Sequence, residues 1–299
     1  MGAEVVVIGA AGLDTCVYLP PDADLSSDVT FTSTLDGVGQ AGGYASLVYA
    51  SLGLSTAYLG ALGDDAAGRQ VRDVLESRGV DTSSCFLDPE GTARSVNLMT
   101  PDGRRRGCYD GRGNPSLHLD LDLATTAVRG ARLCHVNIPT WARDVLPIAR
   151  AAGCTILTDL QDVADPDDVY RLDFVHGSDL LAFSCARDID PAAMMHAYWV
   201  RNPRLIQLAG LGAGGCAVGV DGTVVHHPAP PSDLPIQDTN GAGDTLAAAF
   251  AWSLVVDGRT PDDAAARAQR AARITCSQRV PKLRFATPGD LVPRPDPVR

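Results

Sequence analysis

The stretch DTNGAGDT, residues 238–245, places two acids, Asp238 and Asp244, on either side of a Gly-Ala-Gly bend just ahead of the apolar run LAAAF. Glycines at 241 and 243 let the backbone turn so that the N–H groups of Ala242, Gly243 and Asp244 converge at a helix start. Unpaired amides and the helix dipole together attract an anion there. A carboxylate in the same place repels what the amides attract. Asp244 makes chemical sense if it accepts a proton from an alcohol that attacks the anion while the amides stabilise the group in transit, which is phosphoryl transfer. The plainer alternative is a helix start in which Asp244 complements the dipole and Asp238, Thr239 or Asn240 caps it, worth about 1 kcal/mol. A lone acid favours that alternative; two acids bracketing the bend favour the chemistry.

Such a site needs a rigid frame, and 299 residues with 45% hydrophobic content can bury one large core. Aromatics make up only 5%, as suits small-residue helices packed on a buried parallel sheet. A net charge of −11 and a single short Arg cluster at 104–106 argue against a nucleic-acid partner and for small-molecule chemistry. The eight cysteines lack CxxC spacing, so neither a zinc site nor a disulfide framework is expected, and reduced thiols point to a cytoplasmic location. The N-terminal apolar run is too short to span a membrane and has no basic leader, so no export signal is expected.

Strand-like runs at 4–14, 55–63, 131–139, 154–160, 179–184 and 204–210 alternate with helical patterns at 44–52, 66–78 and 143–152. This predicts a doubly wound α/β fold, a mostly parallel sheet with helices on both faces, in a single domain over 1–299. In such sheets ligands bind beyond the carboxyl ends of the strands. Residues 92–113 break the rhythm: they alternate, turn at Pro101-Asp102-Gly103 and resume, a β-hairpin. Together with an extended segment at about 14–38 it predicts a small β-sheet lid over the site, the alternative being a surface hairpin with no gating role. Helices are expected at 242–258 and 260–277, the second capped by Thr260, and the tail from 292 reads as loose.

Several motifs fail. A Walker A loop needs Gly-Lys-Ser/Thr, and the sole lysine of the chain, Lys282, precedes Leu283. GLGAGG, 210–215, matches GxGxxG, yet residues 216–227 after it read as extended, so no helix N-terminus would meet a dinucleotide pyrophosphate. His226 and His227 have no partner at a metal-ligand spacing.

DTNGAGDT resembles the DTxGAGD signature of the ribokinase-like, or PfkB, carbohydrate kinase family, and LGALGDDAAGRQVRDVLESRGVDTS, 59–83, resembles that family's GDD segment. The resemblance implies an α/β core with a β lid and ATP-dependent phosphorylation of a sugar or nucleoside hydroxyl. It makes Asp244 the base, gives Gly241, Ala242 and Gly243 the anion hole, and puts Asp238 near the cation or phosphate water shell. Gly210, Gly212 and Gly215, with Ala272 and Cys276, would flank the adenine. For the acceptor it implies Asp14, then Gly39, Gln40 and Tyr44 from GQAGGYAS, and Asn137, with Tyr109 and Arg112 on the lid. Tyr44 stands where the family has asparagine, and either stacks on a ring or fills the pocket. ATP and Mg2+ are the implied cofactors, with room for a monovalent cation, and a homodimer through the lid is the implied assembly.

Three departures gather on the phosphate side. FSCAR, 183–187, has Ser184 and Arg187 where the family has Asn-x-x-Glu; Gly210 replaces a threonine; DLQDV, 159–163, keeps only the acid of D-x-N-x-R. Base and anion hole are intact, which favours an active sugar kinase with altered Mg2+ handling over a nucleoside kinase or a non-catalytic ligand-binding relative.

Overall fold

The computed structural model describes residues 2–101, 105–185 and 189–292. Its centre is a nine-stranded sheet whose logic is visible in the strand Val5–Ile8, four branched side chains with no exposed surface. Successive strand residues point to opposite faces. Val5 and Val7 therefore pack with helices Gln40–Ser51, Ala242–Ala251 and Pro261–Cys276, while Val6 and Ile8 pack with Leu121–Val128, Val145–Ala151 and Pro191–Arg201. Full burial of such a side chain stabilises by about 1.5–3 kcal/mol, and both faces need cover to collect it.

The parallel strands lie in the order Ile206–Gly210, Leu180–Cys185, Thr155–Val163, Leu133–Val136, Val5–Ile8, Thr56–Leu59 and Val80–Asp81. Cys216–Val220 and Thr223–His227 extend the first edge antiparallel. The chain builds outward from Val5–Ile8 on one side, then returns to build on the other. The order thus reverses between Val5–Ile8 and Leu133–Val136, and a crevice opens at their carboxyl ends.

A separate four-stranded sheet is ordered Ser33–Gly39, Gly12–Tyr18, Arg94–Met99, Arg105–Asp110. The expected hairpin is present, antiparallel, although Asp102, Gly103 and Arg104 of its turn lie outside the described residues. Cys16, Tyr18, Leu35 and Met99 of this small sheet close on Val280 of the main domain. The stretch expected to be extended throughout is two strands joined by an irregular loop.

Alanines let the last two long helices approach closely: Ala247, Ala248 and Ala251 on one and Ala264, Ala265, Ala268 and Ala271 on the other are all buried. Thr260 caps the second, its hydroxyl accepting from the Asp263 amide at 3.3 Å. The helix expected over 242–258 keeps α geometry only to Ala251 and widens into a π turn over Trp252–Val256. Among the described residues no helix is long and apolar enough to cross a membrane.

Candidate active site

The carboxyl ends of the parallel strands deliver Ala10, Asn137, Gln161, Ser184 and Gly210 to one rim, where two cavities meet. The smaller, about 100 Å³, is lined by Asp159, Ser184, Gly210, Gly241, Gly243 and Asp244. The larger, about 550 Å³, is lined by Ala10, Gln40, Tyr109, Asn114, Asn137 and Tyr170. Arg105, Gln161 and Asp162 line both and form the junction.

Helix Ala242–Ala251 begins from Gly241, whose φ of 75° is left-handed and suits glycine. A β-carbon there would also lie 2.5 Å from Tyr44 Cδ1, so the Tyr44 ring lies directly against the bend. Of the three amides expected to converge, that of Ala242 donates to Thr239 O at 3.2 Å. Of the expected anion-hole donors this leaves the first-turn amide of Gly243, while the Asp244 amide lies against its own carboxylate.

Asp244 is half-buried on the cavity wall. Burial raises its pKa, opposed first by the hydrogen bond from Gln161 Nε2 to Oδ1, 3.3 Å, and then by the charge of Arg105. Gln161 reaches it because strand Thr155–Val163 slips register between Asp159 and Asp162 and Gln161 adopts a φ of 60°. Such bulges re-aim side chains beside active sites. The same Nε2 donates to Asp159 Oδ2 at 2.9 Å. Asp159 is pushed up to about 8, by burial first and the Asp244 charge second. Asp159 therefore holds its proton more tightly than an ordinary carboxyl, beside an Asp244 whose own pKa burial also raises.

On the acceptor side Asp14 is buried, and its pKa is raised to about 6 by burial, against the Ser95 hydroxyl and Arg105. Gly39 must be small: a β-carbon would lie 1.9 Å from Asp14 Cγ. Gln40 and Asn137 line the larger cavity, and both polar atoms of each are buried without a partner, as are Asp14 Oδ1 and the Tyr44 hydroxyl. An unmade buried hydrogen bond costs about 1–3 kcal/mol, so the four orphaned atoms of Gln40 and Asn137 on this wall suit a polar ligand.

Other expected site residues stand elsewhere. Tyr44 fills space beneath the anion hole and offers no stacking face, being 2% exposed. Asp238 lines neither cavity; Oδ1 accepts from the Asn240 amide and side chain at 2.8 and 2.7 Å, and Oδ2 from Tyr18 Oη and the Val280 amide at 3.0 and 3.2 Å. With its oxygens so engaged it does not fit a metal-shell role. Arg112 pairs with Asp110 at 3.3 Å and lines neither cavity. Gly212 and Gly215 shape the turn between Ile206–Gly210 and Cys216–Val220 with φ of 57° and 97°. Ala272 and Cys276 sit on the helix packed beside that hairpin, outside both cavities. Arg187 lies outside the described residues.

Among the described residues no three metal-binding side chains cluster. Asp162, exposed at the junction, is the carboxylate that fits a Mg2+. Sequence reasoning missed Gln161 and Tyr170 as site residues, and it met Arg105 and Asp159 only as members of an Arg cluster and of a departing motif. Arg105 Nη1 donates to Asn240 Oδ1 at 2.7 Å, which ties the lid to the anion-hole loop.

A carboxylate beside helix-start amides, facing a polar cavity under a small β-sheet, is the arrangement of a small-molecule phosphotransferase of ribokinase-like fold. The family model for pfkB family carbohydrate kinases matches residues 3–138 and 208–283, and the chain belongs to that family. It is 30% identical over 251 residues to the Acarbose 7(IV)-phosphotransferase of Actinoplanes sp., covering 83% of each chain. To the Ribokinase of Arabidopsis thaliana it is 27% identical over 297 residues, covering 90% of this chain and 75% of that one. Among solved structures, a microbiome-derived acarbose kinase, Mak1, superposes with a TM-score of 0.88 at 28% identity, covering 97% of this chain and 98% of that one. The Arabidopsis thaliana ribokinase complexed with ribose and ATP superposes with a TM-score of 0.77 at 21% identity, covering 97% and 98%. The chain is an ATP-dependent kinase of a sugar or sugar-like substrate.

Proposed function

We propose that this kinase phosphorylates an oligosaccharide-like acceptor seated in the larger cavity, with Asp244 as general base. The observation that carries the reading is the ring of orphaned polar atoms on Gln40 and Asn137, backed by Asp14, one junction away from Asp244. A single sugar ring would use that inner set. Tyr109 and Tyr170, 62% and 36% exposed on the cavity wall, add apolar faces on which further rings can lie. Two relatives named for acarbose support the same acceptor class.

The acceptor hydroxyl gives its proton to Asp244 as its oxygen attacks phosphorus, and Gln161 keeps that carboxylate aimed. Asp159, uncharged, avoids adding a second repulsion to the phosphate. The amide of Gly243 and the Arg105 guanidinium meet the charge on the transferring group. ATP arrives with Mg2+, which neutralises phosphate charge, and Asp162 would hold it through water. Catalysis by these groups needs no second copy, so the homodimer expected at the bare edge of Arg105–Asp110 is separate from it.

An ADP-release assay over ribose, glucose, adenosine, maltotriose and acarbose tests the proposal. The expected result is a higher kcat/KM for the longer substrates, with Tyr170→Ala raising KM for those alone. A preference for free ribose or adenosine would overturn the acceptor class.

A further inference from the structure

The one lysine in 299 residues is buried, its side chain 1% exposed. Burying an ammonium is costly unless oxygens surround it, and lysine is seldom fully buried. Here Nζ donates to Asp238 O at 2.9 Å and to Gln278 O, and lies 3.5 Å from Asp238 Oδ1. Burial lowers the pKa of the ammonium, and the Asp238 charge opposes that shift. Two main-chain carbonyls and a carboxylate, drawn from the start of the anion-hole loop and from the segment after helix Pro261–Cys276, form the kind of oxygen cage that a dehydrated monovalent cation also requires.

The cage is wired to the chemistry. Asp238 fixes Asn240 through two hydrogen bonds, Asn240 Oδ1 accepts from Arg105 of the lid, and the next residue, Gly241, starts the helix that carries Asp244. Tyr18 and Val280, from the lid and the cage segment, meet on Asp238 Oδ2. A positive charge at this point holds the loop and the lid strand in one register.

We propose that the Lys282 ammonium is a tethered monovalent cation that positions the anion-hole loop, so that this enzyme needs no potassium or sodium. The room left for a free monovalent cation by the family resemblance is, at this cage, already filled. Lys282 acts through Asp238 and Asn240 and touches no reacting atom, so it is a positioning residue. The inference rests on the kinase reading for its kinetic arm and is independent of it for its thermal arm.

The kinetic arm compares turnover in KCl, NaCl and choline chloride at equal ionic strength. The wild type is expected to run at the same rate in all three. In choline, Lys282→Met is expected to lose about 10–100-fold in kcat, the usual cost of removing a supporting group behind an active site. Ammonium or potassium, but not choline, should return part of that rate. The thermal arm, on protein without substrate, expects no K+-specific shift in Tm for the wild type and a K+- or NH4+-specific rise for Lys282→Met. Activation of the wild type by K+ over choline would overturn the proposal, as would a folded Lys282→Met that is fully active in choline or that neither cation rescues. If Lys282→Met fails to fold in every salt, the wild-type comparison still decides. Wild-type turnover that is insensitive to cation, measured on any accepted sugar, stands even if the preferred acceptor is not an oligosaccharide.

Discussion

Replacing Asp244 by asparagine should make the protein inactive and more stable at once. The asparagine Oδ1 can still accept the hydrogen bond from Gln161 Nε2, so local geometry is kept while the proton acceptor is lost. General-base catalysis contributes about 10²–10⁴-fold, and kcat should fall by that factor. At about 1.4 kcal/mol per tenfold this is roughly 3–5 kcal/mol of barrier. The stability side follows from Asp159, raised from 3.8 to about 8 in the folded protein. A carboxyl whose folded pKa lies above its unfolded value keeps a proton that the unfolded chain has released, so unfolding becomes easier as pH rises from about 4 to about 8 and levels off beyond. The Asp244 charge is the second cause of that shift after burial, and asparagine removes it. Each unit by which the Asp159 pKa then falls returns about 1.4 kcal/mol at pH 8, a rise of a few degrees in Tm for a chain of this size. Thermal melts of both proteins from pH 5 to pH 8 in chelator, beside the ADP-release assay, measure the two effects. Asp244→Asn that keeps a tenth of wild-type kcat, or that melts below wild type at pH 8, would refute the paired-carboxylate account.

Two further outcomes test the lid and the acceptor wall. Arg105→Ala removes the guanidinium that lowers the pKa of Asp244, so the acid limb of the kcat profile should move to higher pH, with kcat down by about 10–100-fold; an unmoved limb would separate Arg105 from the base. Gly39→Ala puts a methyl group 1.9 Å from Asp14 Cγ, and displacing that carboxyl should raise KM for the acceptor while ATP-induced thermal stabilisation is unchanged, as a melt with each ligand would read.

Local features were the legible ones in the sequence. The Gly-Ala-Gly bend between two acids fixes a helix start and a carboxylate within eight residues, and the alternation over 92–113 fixes the hairpin. Gln161 lies 83 residues from Asp244 and reaches it only through a bulge, and Arg105 lies 135 residues from Asn240 and reaches it only because the lid folds back. Neither spacing leaves a periodic trace. The clearest misreading shares that cause. Asp238 has the right spacing for a place in the cation shell, but its charge answers Lys282, 44 positions away, a lysine that the sequence presents only as the wrong residue for a phosphate loop.

These pieces share one electrostatic logic. Asp159, Asp162 and Asp244 line the smaller cavity, Arg105 is the cation at its junction, and Asp14 is buried within reach of the Asp244 charge. Burial first, and the Asp244 charge after it, raise Asp159 to about 8 and Asp14 to about 6. A sugar would supply hydroxyl donors to these carboxyls, and Arg105 is the cation placed to meet an incoming phosphate. The anion-hole loop itself has to be in place before the phosphate arrives. Lys282 lines neither cavity and bonds the first residue of that loop, so its fixed charge can hold the loop from outside the site.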